Sequence, residues 1–373
     1  MRYAGELRSA LPEENDQILD LFGAIPMDGD LVLVTRRDPN FFALYEMQNA
    51  ITECLVTEPD SDKKLQFVST FLIRDGWLQG KKQRVGYLGD LRTSFSGRRR
   101  AIVSRLYHQV FEEISAKHQC SFYLTSILES NKAAIQALVE RKNPRRQQPD
   151  YHFFRRFFAT SIHFLRQRKP RPSSYLVRTA EESDLEKINI FLDQDHRQRP
   201  FGYCFDQGEF ENRLKWWPGF SLKNTYLAYD RRGQLVGCTS AWDPSEVKRY
   251  QVNAYRGPMI WTKRSYNFLA MLLRSPKLPA PGEVFRYFYL CNTSILEENP
   301  EIFRALLDQI YEDFYLQKYH FFTICIYDQD PLQYAVEDFF SRTLPFHLYL
   351  VTQKGTEIPQ ISFSHPGFEI ALA

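Results

Sequence analysis

One pattern occurs twice in this chain. Near the start stands Leu7-Arg8-Ser9-Ala10, then Glu13-Glu14-Asn15-Asp16, then the apolar positions Ile18, Leu21 and Phe22. About 170 residues later it returns as Val177-Arg178-Thr179-Ala180, Glu181-Glu182-Ser183-Asp184, and Leu185, Ile188 and Phe191. Each copy reads as a short strand, an acidic helix start and an amphipathic helix. The carboxylates stand where the positive end of the helix dipole favours them. Recurrence at that distance points to duplication of a whole domain, not to a solenoid. Between the copies lies Arg166-Gln-Arg-Lys-Pro-Arg-Pro-Ser-Ser174, whose prolines hold the backbone extended while its charges repel. The expected division is therefore 1–165, a linker at 166–174, and 175–373. Length agrees, since 373 residues at roughly 150 per domain make two domains.

Composition narrows the function. Hydrophobic residues at 43% and charged residues at 25% exclude disorder as the main state, and 15% aromatics predict aromatic-rich cores or pockets. A net charge of +3 is too small to argue for nucleic acid or membrane. No run approaches the ~20 apolar residues of a membrane span, and the polar start shows no secretory h-region, so a cytoplasmic protein is expected. The six cysteines form no C-x-x-C pair and several sit in apolar runs, which reads as buried, reduced thiols. The histidines show no H-x-x-x-H or His/Cys cluster, so no metal site is expected.

The first half continues with strands at Thr52–Thr57 and Leu65–Leu72 around a turn at Pro59–Asp62, and a strand at Val85–Leu91. Next come a helix bearing Ile102, Val103, Leu106, Val110, Phe111 and Ile114, a strand at Ser121–Ile127, and a helix from Asn131 to about Arg141. Two aromatic strands, around Tyr151–Phe158 and Ala159–Leu165, close it. The second half repeats the order with a hairpin at Asn224–Ser240, a strand at Phe285–Cys291, a helix at Pro300–Gln317, and strands at Phe321–Tyr327 and Phe346–Val351. An insertion of roughly forty residues, with a helix near Ser265–Arg274, separates hairpin and strand. The class is α+β, with a mixed, mainly antiparallel sheet flanked by helices in each half.

This order resembles the GNAT superfamily of acyl-CoA-dependent N-acyltransferases, arranged in tandem. The loop after the fourth strand, Arg98-Arg99-Arg100-Ala101-Ile102-Val103, is similar to the family's [R/Q]-x-x-G-x-[G/A] helix start. Its leading Arg matches, Ala101 stands where Gly is usual, and Val103 departs from Gly/Ala. The family's Asn-x-x-Ala helix start is matched by Asn131-Lys132-Ala133-Ala134. The resemblance covers most of residues 7–165. It implies that acetyl-CoA or another acyl-CoA binds through Gly97, Arg98, Arg99, Arg100, Ala101 and Asn131, and through the backbone of Leu91, Arg92 and Thr93. Physics favours the same place, because a helix N-terminus with added arginines is an anion site. An exposed basic helix start with no ligand is the bland alternative.

In the second half Glu297, Glu298 and Glu301 stand where phosphates would sit, so that copy is expected to lack the cofactor and to shape the acceptor site. Direct acyl transfer to a small-molecule or peptide amine needs a base and often an acid. Tyr87, Asp90 and Glu129 are the candidates, with Glu53 a further carboxylate; the family's usual Tyr acid is replaced by Leu138. Strand alternation places Tyr87 with Leu91 on one face and Asp90 on the other. The basic, aromatic stretch Lys142–Arg171 reads as an exposed strand face over a buried one, with nucleic acid unlikely and an acidic partner such as an acyl carrier protein open. Trp216-Trp217-Pro218-Gly219 and Phe201–Phe205 offer an aromatic loop surface for packing or a pocket. The rival to an N-acyltransferase is a non-catalytic binding module.

Overall fold

A computed structural model describes residues 7–27, 29–94, 97–140, 149–273, 275–358, 361 and 365–373; the side chains of 97–102, 104 and 105 lie outside that description. Its strands are β1 (Leu7–Ser9), β2 (Leu31–Arg36), β3 (Ile51–Thr57), β4 (Phe67–Leu78), β5 (Lys81–Thr93), β6 (Phe122–Leu128) and β7 (Asp150–His163) in the first half. The second half supplies β8 (Leu176–Thr179), β9 (Thr225–Tyr229), β10 (Leu235–Trp242), β11 (Arg249–Tyr255), β12 (Tyr287–Ile295), β13 (Phe321–Tyr327) and β14 (Ser341–Thr352). Twelve of them form one sheet in the order β1-β3-β4-β5-β6-β14-β7-β13-β12-β10-β9-β8, and β2 pairs with β11 alone.

The sheet is continuous because the halves share their last strands. β14 lies antiparallel between β6 and β7, and β7 in turn lies antiparallel beside β13. The two strands expected around Tyr151–Phe158 and Ala159–Leu165 are thus one long strand, β7. It runs on through a single register shift at Phe154, since β14 pairs it from Asp150↔Thr352 to Ile162↔Ser341. The insertion in the second half also ties the halves, for β11 pairs with β2 through Val252↔Leu33 and Gln251↔Val34.

The helices are α1 (Asn15–Ala24), α2 (Ala43–Glu46), α3 (Gly97–His118), α4 (Lys132–Ile135), α5 (Leu185–His196), α6 (Glu209–Trp216), α7 (Pro258–Leu273), α8 (Pro300–Tyr315) and α9 (Gln333–Val336). On one face α3 buries Tyr107, Val110, Phe111 and Ile114 against Phe71, Leu88 and Tyr123, while α8 buries Ile302, Phe303, Leu306 and Ile310 against Phe288, Leu290 and Ile324. Leu55 faces α3, while its neighbours Cys54 and Val56 face α1 on the other side, as a period of two requires. α8 begins sharply because Pro300 occupies its first turn and the Asn299 side chain accepts the amide of Glu301. All six cysteines are free and five are buried. Among the described residues no helix is long and apolar enough to cross a membrane.

Candidate functional site

β5 and β6 run parallel, but their ladder is short. They pair at Gly86↔Tyr123 and Tyr87↔Leu124, and the Thr125 hydroxyl then donates to the Leu88 carbonyl at 2.9 Å. Gly86 sets this close approach, since a Cβ there would come within 2.1 Å of the Tyr123 ring. Beyond it β5 keeps only β4 as a ladder partner, so an opening forms between the ends of β5 and β6. Two features bend β5 away: the register against β4 shifts between Val68 and Thr70, and Asp90 adopts a φ of 55°. This is a β-bulge. Asp tolerates the left-handed region better than most residues because its short polar side chain finds local partners.

Here the partner comes from far along the chain. The Arg37 guanidinium donates to both Asp90 carboxylate oxygens, at 2.6 and 3.0 Å, and to the Tyr45 hydroxyl at 3.1 Å. Arg37 is only 3% exposed and lies 5.2–5.3 Å from the ring centroids of Phe22, Phe41 and Tyr45. The bulge corrects the strand-face reading. Simple alternation would set Tyr87 with Leu91 and against Asp90. The extra residue inverts the order, so Leu91 packs with Leu88 toward α3, whereas Tyr87, Asp90 and Arg92 face the α1 side.

The second half repeats the device. β12 and β13 are parallel only from Tyr287↔Phe321 to Tyr289↔Thr323. Asn292 has a φ of 52° at a register shift against β10, and its Oδ1 accepts from Arg213 at 2.5 Å. Arg213 is wholly buried among Tyr203, Phe205 and Trp217. Past this bulge the two halves diverge, for Glu297, Glu298 and Glu301 surround the start of α8.

The sequence candidates scatter around this opening. The Tyr87 hydroxyl is 2.9 Å from that of Ser126, its ring lies 5.7 Å from Phe368, and burial raises its pKa. Asp90 is committed to Arg37. Glu129 lies away from the bulge: Arg156 donates to it at 2.5 and 3.2 Å and His347 is 2.9 Å away, which together lower its pKa. Glu53 is likewise held by Lys117 and His118, at 2.5 and 2.8 Å. Arg92 is half-buried over the Phe22 ring, and Thr93 pairs with Phe67. Asn131 caps α4 by accepting the Ala134 amide at 3.1 Å, and Leu138 packs against the α3 core. Gly97 opens α3, but the side chains of Arg98, Arg99, Arg100 and Ala101 lie outside the described residues.

Sequence reasoning missed the groups that the second half brings to the same face. Tyr87, Arg74, Tyr203, Phe368, Glu369 and Leu372 are among the residues lining a cavity of about 30 Å³. Glu369 accepts the Asn292 amide at 2.9 Å, and the Lys248 ammonium donates to the main-chain oxygen of Ala373 at 2.8 Å. Burial pushes Lys248 down to about 7, helped by the charge of Arg37 and opposed by Asp90. Nothing local in the sequence marks Arg37 as the partner of Asp90. Elsewhere the fold gathers Glu298, Asp330 and His365, which the histidine spacing did not suggest.

Neither a family model nor a curated protein matches this sequence. Solved structures match its fold. Saccharomyces cerevisiae N-myristoyltransferase with bound myristoyl-CoA aligns at a TM-score of 0.61 and 9% identity, over 100% of this chain and 83% of that one. A GCN5-related N-acetyltransferase from Sphaerobacter thermophilus aligns at 0.56 and 11%, over 94% of this chain and 97% of the other. The GCN5-related glucosamine N-acetyltransferase region of a fungal multi-domain GH3 β-N-acetylglucosaminidase aligns at 0.60 and 11%, over 93% and 38%. The fold is GNAT, in tandem.

Proposed function

We propose that this protein is an N-acyltransferase that binds acyl-CoA in the first-half opening and passes the acyl group directly to an amine. The observation that carries this reading is the bulge at Asp90 where β5 leaves β6, in a fold shared with acyl-CoA-dependent enzymes. The stretch of β5 beyond its ladder with β6, at Leu91, Arg92 and Thr93, would bond the pantetheine arm. The α3 start, with Gly97, Arg98, Arg99, Arg100 and Ala101, would take the phosphates, and Asn131 would shape the far wall. Carboxylates at the α8 start would repel the same phosphates in the second half, which supplies acceptor surface instead. The division proposed is donor site in 1–165 and acceptor surface in 175–373.

Acetyl-CoA is the proposed donor, to be compared with longer acyl-CoAs. Tyr87, on the cavity wall, is the proposed proton donor to the departing thiolate. Asp90 positions the bulge through Arg37, and Glu129, held by Arg156 and His347 away from the bulge, is not proposed as the base. A coenzyme A thioester in the related fold favours coenzyme A over a carrier protein as donor. Leu138, where the family's Tyr is expected, supports the rival reading of a non-catalytic module. The test is release of free coenzyme A thiol from acetyl-CoA across amino sugars, polyamines and peptide α-amines. Amine-dependent release supports the enzyme; binding without release for every amine supports the rival.

A further inference from the structure

α7 turns apolar side chains in two opposite directions. At 100° per residue, Met259, Tyr266 and Ala270 (i, i+7, i+11) share one stripe, and Trp261, Phe268 and Leu272 share another roughly 140–180° away. The first stripe is the inward one: Met259 and Tyr266 pack on the second-half core and Ala270 is 0% exposed. The second faces solvent, with Trp261 68%, Phe268 62% and Leu272 61% exposed. A surface helix of a soluble protein places polar residues on that side. Contiguous exposed apolar surface of this kind marks a contact site.

The charge around it selects the partner. From Val247 to Gly282 the sequence contains no Asp or Glu, while Arg256, Lys263, Arg264, Arg274 and Lys277 all fall within that span. The Arg264 guanidinium lies 4.9 Å from the Trp261 ring, so the apolar stripe carries its own cation. A second copy would bring its own Arg264 against this one and be repelled. Trp and Phe on an acid-free basic helix match a helix lying in the headgroup layer of an anionic bilayer. Its sixteen residues, about 24 Å long, lie along a membrane and do not span it.

We infer that α7 docks the protein on anionic lipid surfaces through Trp261, Phe268 and Leu272, with Arg264 contacting headgroups. This holds whether or not the protein transfers acyl groups. The test is flotation of the full chain with vesicles of equal parts phosphatidylglycerol and phosphatidylcholine, against phosphatidylcholine alone. The wild type should float with the anionic vesicles. The variant Trp261→Gln/Phe268→Gln/Leu272→Gln should partition at least about tenfold less, and Arg264→Gln should weaken the preference for anionic lipid. The second variant leaves the apolar stripe untouched and guards against misfolding of the first. Absence of wild-type binding, or equal binding by the triple variant, overturns the inference. So does a concentration-dependent dimer in sedimentation that the triple variant abolishes, since a second copy would then be the occupant.

Discussion

Replacing Asp90 tests whether the bulge is held by one buried ion pair. Asp90→Ala strands the Arg37 guanidinium, 3% exposed, with no anion. Removing one member of such a pair costs about 3–5 kcal/mol, and Ala at a φ of 55° adds about 1 kcal/mol. Tyr45 and the three rings around Arg37 recover part of this, so about 3 kcal/mol is expected. Asp90→Asn should be milder, because the second half already performs the same task with Asn292 accepting from Arg213. Keeping one acceptor but losing the charge should cost about 1–2 kcal/mol. Urea unfolding followed by tryptophan fluorescence and by circular dichroism gives both midpoints, compared at unchanged slope. Loss of less than about 1 kcal/mol in Asp90→Ala, or equal damage from Asn and Ala, would refute the argument.

Lys248 is fully buried, with a folded pKa of about 7 against 10.5 for the free side chain, so its charging opposes folding. The unfolded chain binds the proton first, and stability should therefore rise as pH climbs from about 7 toward 10.5, by at most about 5 kcal/mol. Lys248→Met should raise the urea midpoint at pH 7 and flatten that rise; an unchanged pH profile would contradict the burial. Gly86→Ala drives a Cβ into the Tyr123 ring, and overpacking there should cost about 1–3 kcal/mol in thermal or urea unfolding. Glu129→Gln breaks a contact at the sheet rim, so amine-dependent turnover should stay within about threefold of wild type; a collapse of turnover would restore Glu129 as the base.

The duplication was legible because it is written locally: acidic helix starts and apolar periods recur wherever the chain restarts. Hairpin β9–β10 and strand β13 fall where alternation puts them. The shared closing strands were not legible, since the exchange of β7 and β14 between β6 and β13 depends on pairings 158 to 230 residues apart, such as His163 with Phe321 and Phe122 with Thr352. The site shows the same divide. Tyr87 and Asp90 could be named from their strand, but the bulge that puts them on one face is invisible to alternation. Arg37 reaches Asp90 only through tertiary packing. Glu129 looked like a free carboxylate in sequence, because Arg156 and His347 come from β7 and β14.

Calorimetric titration of acetyl-CoA into the full-length protein tests the central claim most directly. One equivalent should bind per chain, and Arg98→Ala/Arg99→Ala/Arg100→Ala should weaken binding by at least about tenfold while leaving the urea midpoint in place. Undiminished binding in the triple variant, or no binding to folded wild-type protein, would contradict the placement of the donor in the first-half opening.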